Sequence, residues 1–398
     1  MKTIDQIPSF DFDPYDEREL ADPYPRYAEL RAAGPVVRLT KYNVVAMARH
    51  AEVHAALRDW ETYSSAAGVG LDDLRKGERW RPSSLLLEVD PPIHDKTRAV
   101  MNVVLSMPAL RRMQGDFEAM AEKLADELVE RREFDGMADL AIPFILKVFP
   151  DAVGLPEEGR ENLLPWGDMI FNSFGPRNQR FQDATRTAET VRAWIFEHSQ
   201  RKSLSANGLG AAVFAAVDKG RLEEEEGEVL VRSMLTAGLD TTVTGLGASV
   251  LAFSRFPDQW DILREQPNLA RQAFDEIVRW ASPVQTFFRT TTKPVIVEEV
   301  TIPEDTKVLL FLASANSDDR VYPEPEKLDI FRRNLDHVGF GNGIHKCVGQ
   351  MVAKLEAEVV FNALLKRVKR FELLEEPSMY LNNTVRAFER IPVRVIPA

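Results

Sequence analysis

The sequence of 398 residues contains a single cysteine, Cys347, and only six histidines. A lone thiol excludes an internal disulfide, and it cannot complete a tetrahedral zinc site without several His, Asp or Glu partners. No internal repeat, low-complexity tract or Gly/Ser-rich linker is present, so no domain boundary is indicated. We therefore expect one domain over residues 1–398.

The first 35 residues lack a long apolar run and carry several acidic side chains, among them Asp11, Asp13, Asp16, Glu17 and Glu19. This pattern argues against a signal peptide or a membrane anchor, and it predicts a cytoplasmic protein without membrane contact. The net charge of −12 argues against nonspecific nucleic-acid binding, which needs a clustered positive surface.

Hydrophobic residues make up 44% and charged residues 28% of the chain, as in a globular protein with a sizeable core. The spacing of apolar residues predicts a mainly α fold with minor β structure. Helices are predicted at 24–33, over most of 108–202, and as one long helix at 222–256. Short strands are predicted at 36–47 and 292–312, and a hairpin at 378–397.

Cys347 lies in the glycine-rich run Phe340-Gly341-Asn342-Gly343-Ile344-His345-Lys346-Cys347-Val348-Gly349. Residues 350–370 consist of good helix formers, so the thiol should precede a helix N-terminus, where backbone N–H groups stabilise a thiolate. Such a thiolate can ligate one metal centre axially, and haem iron is the obvious case. The alternative is that Cys347 is an ordinary buried small hydrophobe, as most free cysteines are.

The predicted long helix contains Ala237-Gly238-Leu239-Asp240-Thr241-Thr242, a poor pattern for a helix interior. Gly238 costs about 1 kcal/mol relative to alanine. A threonine hydroxyl can donate to the carbonyl four residues earlier, which loosens the helix and admits a ligand or water. The alternative is a helix–helix contact made by small residues.

The run around Cys347 resembles the haem-binding loop of the cytochrome P450 family, Phe-x-x-Gly-x-(Arg/His)-x-Cys-x-Gly. The resemblance implies a single-domain cytochrome P450-type fold, with haem b between the long helix and the loop and Cys347 as the axial iron ligand. Residues 237–242 resemble the oxygen-binding groove of this family, so Asp240 and Thr241 would relay protons during dioxygen activation. The other implied cofactor contacts are His94, Arg98, Arg289, Phe340, Gly341 and His345.

Two further motifs fit this family. His94 and Arg98 lie four residues apart on a helix predicted after Pro91-Pro92, and arginine suits the carboxylates of haem propionates. Glu276-x-x-Arg279, together with Arg332, resembles the buried structural triad of the family. A solvated helix face and a surface salt bridge are the respective alternatives.

Ser233, Ala237 and Thr241 recur at i, i+4 and i+8 and therefore share one face of the long helix. The rise from Ser233 to Thr241 is roughly 12 Å, about one aromatic ring with its substituents. If Thr241 marks the oxygen site, Arg232 and Ser233 lie at the far end of a pocket, where they could hold a carboxylate. A solvated Arg232 is the alternative.

Residues 80–84, 171–176 and 282–292 resemble bacterial cytochrome P450 monooxygenases that O-demethylate 4-methoxybenzoate and related para-substituted benzoates. The sequence departs from the pattern of this subgroup at Ser83, at Thr236 and in the basic segment 177–180. The resemblance implies carboxylate contacts at Arg81, Ser84, Arg232 and Ser233. Apolar contacts are expected at Leu87, Phe171, Phe174, Ala237, Val284 and Phe287.

These observations, with the resemblance, predict a haem-thiolate monooxygenase that uses O2 to oxidise para-substituted benzoic acids, and O-demethylation of 4-methoxybenzoate-type substrates is the expected reaction. The chain contains no flavin or iron–sulfur motif, so electrons should come from a [2Fe–2S] ferredoxin and its NADH-dependent reductase. A basic docking patch is expected at Lys96, Arg111, Arg112 and Lys346. The alternatives are oxidation of another small aromatic or apolar acid, a peroxide-driven haem enzyme, and a non-catalytic sensor of haem or aromatic acids.

Overall fold

The computed structural model describes residues 1–76, 83–332 and 336–398, so the predicted substrate contact Arg81 lies outside the described residues. Helices dominate these ranges, which confirms the mainly α prediction. The α-helices are α1 (Glu17–Ala21), α2 (Tyr24–Ala33), α3 (His50–Arg58), α4 (Ile93–Val104), α5 (Met107–Arg131), α6 (Ile142–Val153), α7 (Leu163–Asn172), α8 (Gln179–His198), α9 (Leu209–Asp218), α10 (Glu224–Arg255), α11 (Pro257–Glu265), α12 (Ala270–Ala281), α13 (Leu312–Asn316) and α14 (Gln350–Leu365).

The strands are short and form small sheets. They are β1 (Lys2–Thr3), β2 (Ser9–Phe10), β3 (Val37–Leu39), β4 (Val44–Met47), β5 (Tyr63–Ser64), β6 (Glu133–Asp135), β7 (Thr286–Thr291), β8 (Val295–Val297), β9 (Val300–Ile302), β10 (Lys307–Phe311), β11 (Val368–Leu373), β12 (Ser378–Leu381), β13 (Arg386–Arg390) and β14 (Pro392–Pro397). The largest sheet has six strands in the order β2-β3-β4-β10-β7-β5, with β10 parallel to β4 and antiparallel to β7.

Several sequence predictions are confirmed. Helix α2 has the predicted bounds, and α4 begins directly after Pro92, as the two prolines indicated. The long helix α10 starts from a capping box in which Glu223 and Glu226 satisfy each other's free backbone N–H groups. It ends before Pro257, which cannot continue the hydrogen-bond ladder. The prediction of one domain over residues 1–398 stays a prediction.

Two predictions near the C-terminus are wrong in part. The helix after Cys347 ends at Leu365 rather than at 370, because Val368 and Phe371 are buried in β11. The tail is not one hairpin over 378–397: β12 and β13 form a hairpin, whereas β14 pairs with β11 and β6. Short-range hydrophobic patterns do not reveal such long-range pairing.

Helix α10 crosses the core, and its two halves differ in their surroundings: one is packed within the protein and the other lines a cavity. Every residue from Thr242 to Phe253 is buried, as expected for a helix surrounded by packed elements. The preceding turns, up to Thr241, present one face to a cavity. Among the described residues, no helix is long and apolar enough to span a membrane.

A buried charge cluster joins α12 to the segment that leads to the cysteine loop. Arg279 Nη2 donates to Glu276 Oε1 at 2.7 Å, and Arg332 Nε donates to the same oxygen at 3.0 Å. Arg279 also donates to the carbonyl oxygens of Asn316 and Pro325. The contacts expected of the triad are thus present, and they fix the chain approaching residue 340.

Candidate active site

A cavity of about 400 Å³ lies between α10, α7, α8 and α4 and the loop around Cys347. It brings together residues that the sequence places up to 260 positions apart, most of them apolar. The predicted site residues that line it are Ser84, Leu87, Arg98, Phe171, Phe174, Arg232, Ser233, Ala237, Thr241, Val284, Phe287, Phe340, Gly341, His345 and Cys347. His94, Arg289 and Asp240 lie behind this lining.

The cysteine loop is a tight turn that presents its sulfur to the cavity. The Cys347 N–H donates to the Phe340 carbonyl oxygen at 2.8 Å, and Gly341 and Gly343 have φ of 68° and 66°. A side chain at Gly343 would lie 2.3 Å from the Leu57 carbonyl oxygen, so only glycine fits there. The turn therefore fixes the position of the thiol by backbone geometry.

The thiol of Cys347 lies deep in the molecule, yet it is accessible because its free surface faces the cavity. Burial raises the pKa of the Cys347 thiol, while backbone N–H groups of Gly349 and Gln350 and the charge of Arg98 oppose this. These N–H groups belong to the start of α14, as predicted for a thiol that precedes a helix. The surroundings favour a thiolate once a positive metal centre is present.

Four nitrogen-bearing side chains surround the cavity on the Cys347 side. The rings of His94 and His345 meet edge to face, with centroids 4.7 Å apart. His345 Nδ1 lies 3.0 Å from the Leu86 carbonyl oxygen, and His94 Nδ1 lies 3.1 Å from Asp95 Oδ1. In the described part of the chain, Nε2 of both imidazoles is buried without a hydrogen-bond partner.

Two arginines complete this group. Arg98 lines the cavity, and Arg289 is 2% exposed, with burial lowering its pKa to about 10 against the attraction of Asp90. Unpaired buried nitrogen groups are costly, so they indicate an anionic occupant that hydrogen-bonds to them. Haem b fits this donor set, because its two propionates are carboxylates and its iron accepts an axial sulfur.

On the opposite wall, α10 has the threonine hydrogen bond that the sequence pattern indicated. Thr241 Oγ1 donates to the Ala237 carbonyl oxygen at 2.8 Å, which confirms the expected back-bond. Gly238 allows close packing, since a Cβ there would lie 2.5 Å from the ring of Phe149. The helix therefore carries a small, polar indentation beside Thr241.

Asp240 faces away from the cavity lining towards α7. Its Oδ2 is buried without a hydrogen-bond partner among the described residues, and a Cβ on Gly167 would lie 1.9 Å from it. Burial raises the pKa of Asp240 well above its usual value, and the nearby Asp168 carboxylate adds to the rise. The burial and the neighbouring acid therefore both disfavour the charged form of Asp240.

Asp168 forms a second acid behind Asp240. Its Oδ1 accepts hydrogen bonds from Asn172 and Asn382, each at 2.9 Å, while Tyr380 contacts its carboxylate at the surface. Burial raises the pKa of Asp168 as well. No local motif pointed to Asp168, because two of its partners, Tyr380 and Asn382, come from the distant β12 and the following turn.

The far end of the cavity contains Arg232 and Ser233, two of the predicted carboxylate contacts. Arg232 Nη1 donates to Ser199 Oγ at 2.8 Å and lies 3.6 Å from Glu228 Oε2. Its guanidinium carbon lies 4.5 Å from the centroid of the Phe196 ring. Arg232 is therefore not the freely solvated residue of the alternative prediction, and part of its hydrogen-bonding capacity is used within the chain.

Three phenylalanines form the aromatic wall of the cavity. The ring centroids of Phe171 and Phe174 are 6.0 Å apart, and those of Phe174 and Phe287 are 5.8 Å apart, both edge to face. Val69 and Val385 pack behind these rings. The wall suits a flat apolar ring, because edge-to-face contacts leave ring faces free to meet a ligand.

Four charged residues of the cavity lining were not identified from the sequence, namely Glu88, Glu189, Arg192 and Glu356. Glu356, nine residues after Cys347, is buried, and burial raises its pKa well above its usual value. An acid on the otherwise apolar face of α14 was the available signal. Arg192 on α8 approaches the same Phe196 ring as Arg232, at 5.4 Å from its centroid.

A single thiol below a cavity, flanked by histidine and arginine and facing the Thr241 turn of the long helix α10, defines a haem-thiolate protein. The model of the family described as Cytochrome P450 matches residues 161–387. The chain is 49% identical to cytochrome p450 CYP199A2 of Rhodopseudomonas palustris, over 98% of this chain and 95% of that protein. The chain belongs to the cytochrome P450 family, and it is a haem b monooxygenase that uses O2.

Other relatives agree with this assignment. The beta-dihydromenaquinone-9 omega-hydroxylase of Mycobacterium bovis is 30% identical, over 97% of this chain and 79% of that protein. The structure of cytochrome P450 CYP109Q5 from Chondromyces apiculatus matches with a TM-score of 0.82 and 27% identity, over 98% and 99% of the two chains. The cytochrome P450-type fold is thereby confirmed.

Proposed function

We propose that this monooxygenase oxidises para-substituted benzoic acids, and that O-demethylation of 4-methoxybenzoate-type substrates is its main reaction. The observation that carries the proposal is the cavity itself. One end holds Thr241, the wall holds Phe171, Phe174 and Phe287, and the other end holds the Arg232–Ser233 pair. A ring with a carboxylate on one side and a methoxy group on the other matches this order of surfaces.

The carboxylate would be anchored at the far end. Arg232 retains N–H groups on Nη2 and Nε beyond the contacts of Nη1. The hydroxyl of Ser84 accepts from the N–H groups of Leu86 and Leu87, which leaves its proton to donate to a ligand. Charge-assisted hydrogen bonds of this kind are stronger than neutral ones.

The ring would lie against the aromatic wall, with its para substituent directed towards Thr241. Haem, when bound, supplies O2 activation and C–H oxidation with two external electrons and two protons. One oxygen atom enters the methyl C–H bond and the other leaves as water. The resulting hemiacetal then breaks its C–O bond to give the phenol and formaldehyde.

Asp240 and Thr241 would transfer the protons that this reaction consumes. Burial and the nearby Asp168 raise the pKa of Asp240, which favours a carboxyl group that can carry a proton to the cavity. Thr241 Oγ1 currently donates to the Ala237 carbonyl oxygen and can exchange that bond for one to a ligand or water in the cavity. An acid and a hydroxyl on adjacent residues are suited to proton transfer.

A [2Fe–2S] ferredoxin with an NADH-dependent reductase would supply the electrons. Of the expected docking residues, Arg111, Arg112 and Lys346 are exposed. Lys96 differs, because its ammonium lies 2.6 Å from Glu226 Oε2 and is paired within the chain. The docking surface we propose is therefore centred on the other three.

The substrate assignment is tested with a matched pair of ligands and a matched pair of variants. The dissociation constants of 4-methoxybenzoate and 4-methoxybenzamide are measured from the shift of ferric haem towards high spin. We expect Arg232→Met with Ser233→Ala to weaken benzoate binding by about 10- to 100-fold, since charged hydrogen bonds contribute about 1.5–3 kcal/mol. Binding of the amide should change little.

Arg186→Met is the control, because Arg186 also lies on α8, pairs with Asp183 and does not line the cavity. This variant should leave both dissociation constants unchanged. Equal losses for benzoate and amide would show that the anchor does not recognise the charge. Failure of wild type to convert 4-methoxybenzoate to 4-hydroxybenzoate and formaldehyde would refute the proposed reaction.

A further inference from the structure

A half-buried lysine outside the cavity lining has its ammonium enclosed by carbonyl groups. Lys307, the first residue of β10, places its Nζ within 3.2 Å of the carbonyl oxygen of Ala67, 3.0 Å of Gly68, 2.9 Å of Gly70 and 3.1 Å of Asp72. An ammonium has three protons, so four converging carbonyl dipoles surround it much as they surround a bound cation. We call segment 67–72 the carbonyl loop.

The carbonyl loop has a backbone that turns its oxygens inward. Gly68 has a φ of 92°, a conformation that favours glycine. A Cβ on Gly70 would lie 2.8 Å from the Cα of Phe174, so the loop touches the end of the aromatic wall. The Leu71 N–H donates to the Phe174 carbonyl oxygen at 2.9 Å and fixes this contact.

The other side of the carbonyl loop supports the cavity. Val69 is fully buried and packs in one cluster with Phe171 and Phe174, against which Phe287 also lies. The Phe288 N–H donates to the Val69 carbonyl oxygen at 2.8 Å, which ties the loop to β7. The loop is therefore the layer behind the aromatic wall.

The charges around Lys307 keep its ammonium in place. Asp72 and Asp73 on the adjoining chain and the buried Glu88 attract it, whereas Arg75 opposes them. The Phe288 ring lies 5.7 Å from Nζ. Burial lowers the pKa of Lys307 to about 8, so the side chain is charged at neutral pH and loses its proton within a moderately alkaline range.

We propose that Lys307 is a positioning residue for substrate selection: its ammonium holds the carbonyl loop, and the loop holds Val69 and Phe174 against the substrate ring. The inference rests on the proposed function for the identity of the substrate, but the positioning role applies to any ligand that fills the cavity. Without the ammonium, four inward carbonyl oxygens face each other, and the loop relaxes to turn them towards water.

The first test uses Lys307→Met, which keeps the length of the side chain and removes its charge. We expect the haem content and the reduced carbon monoxide spectrum to be unchanged, and the dissociation constant of 4-methoxybenzoate to rise by about tenfold. Discrimination between 4-methoxybenzoate and 3-methoxybenzoate should decrease. Lys76→Met is the control, because Lys76 is exposed and pairs with Asp73 and Asp305.

The second test is chemical rescue of Lys307→Ala. Propylammonium replaces the missing part of the side chain and should restore affinity and discrimination, whereas propanol of the same size should not. Equal rescue by propanol would mean that Lys307 only fills space, and unchanged discrimination in both variants would overturn the positioning role.

A third readout uses the unmodified protein, so it does not depend on the folding of a variant. Both benzoates are ionised from pH 7 to 9.5. Because Lys307 is protonated below its pKa and neutral above it, discrimination should fall as the pH rises through about 8. A flat wild-type profile would contradict the proposal.

Phenylimidazole isomers, which bind ferric haem through nitrogen, separate this inference from the substrate assignment. If wild type binds no benzoate, the proposed function fails. The isomers still report the shape of the cavity, and identical isomer selectivity in wild type and Lys307→Met would defeat the role of Lys307 independently.

Discussion

The two ends of the cavity differ in how completely the chain satisfies its own polar groups. At the Cys347 end, Nε2 of His94 and of His345 is buried without a hydrogen-bond partner in the described part of the chain, although Asp90 Oδ1 lies 4.0 Å from Nε2 of His345. At the far end, Arg232 already contacts Ser199 and Glu228. At the Cys347 end, buried polar groups lack hydrogen-bond partners among the described residues. At the far end, Arg232 already has partners within the chain.

This difference explains why the cofactor is easier to infer than the substrate. Unpaired buried groups persist where a bound molecule pairs them, so their positions indicate the charge and shape of that molecule. Groups that already have partners within the chain give less information. At the far end, the unused N–H groups of Arg232 and the hydroxyl of Ser233 are the groups that indicate a ligand.

The largest expected effect is at the Cys347 end. Replacing the thiol in Cys347→His exchanges an electron-donating sulfur for a neutral nitrogen. We expect haem to be retained and substrate turnover to fall by more than about 1,000-fold. The reduced carbon monoxide spectrum and the haem content of the purified variant are the measurements. A variant that keeps both the thiolate-type spectrum and its turnover would show that Cys347 is not the ligand.

Asp240→Asn should have the next largest effect. It should lower product formation without changing the binding of haem or substrate at either end of the cavity. The amide keeps the size of the side chain but removes the acidic proton, so product formation should fall by about 100-fold. The spin shift with 4-methoxybenzoate should stay the same, since Asp240 does not line the cavity. Asp258→Asn, at the exposed start of α11, is the control. Weakened substrate binding in Asp240→Asn would contradict a role in proton transfer.

The smallest expected effects come from a pair of variants, one at each end of the cavity. Arg289→Met should speed haem transfer to apomyoglobin by about tenfold, because one charge-assisted contact to a carboxylate is lost. It should leave discrimination between 4-methoxybenzoate and its amide intact. Arg232→Met should do the opposite, with normal haem transfer and poor discrimination. If both variants changed both properties, the two ends would not be separate binding regions.

Local patterns in the sequence predicted much of this arrangement. The cysteine turn, the Thr241 back-bond and the contact between Glu276 and Arg279 depend on residues a few positions apart, so spacing alone constrains them. The shared face of Ser233, Ala237 and Thr241 on α10 is also predictable from spacing, because positions i, i+4 and i+8 share a face in any helix.

The features that could not be predicted depend on distant pairings. Asp168 meets Tyr380, and Lys307 meets carbonyl oxygens from residues about 240 positions earlier. Backbone carbonyl groups are present at every residue, so no side-chain pattern records which of them converge. The separate pairing of β14 with β11 and β6 was missed for the same reason.

The carbonyl loop also bears on how the substrate range can be redesigned. Lys307 contacts only main-chain oxygens of the loop, so these four hydrogen bonds do not involve the side chain at position 69. Gly68 and Gly70 must stay, whereas position 69 can be changed to apolar side chains close to valine in volume. A combinatorial library at Val69 and Val385 would therefore vary the support of the aromatic wall while leaving the catalytic residues untouched.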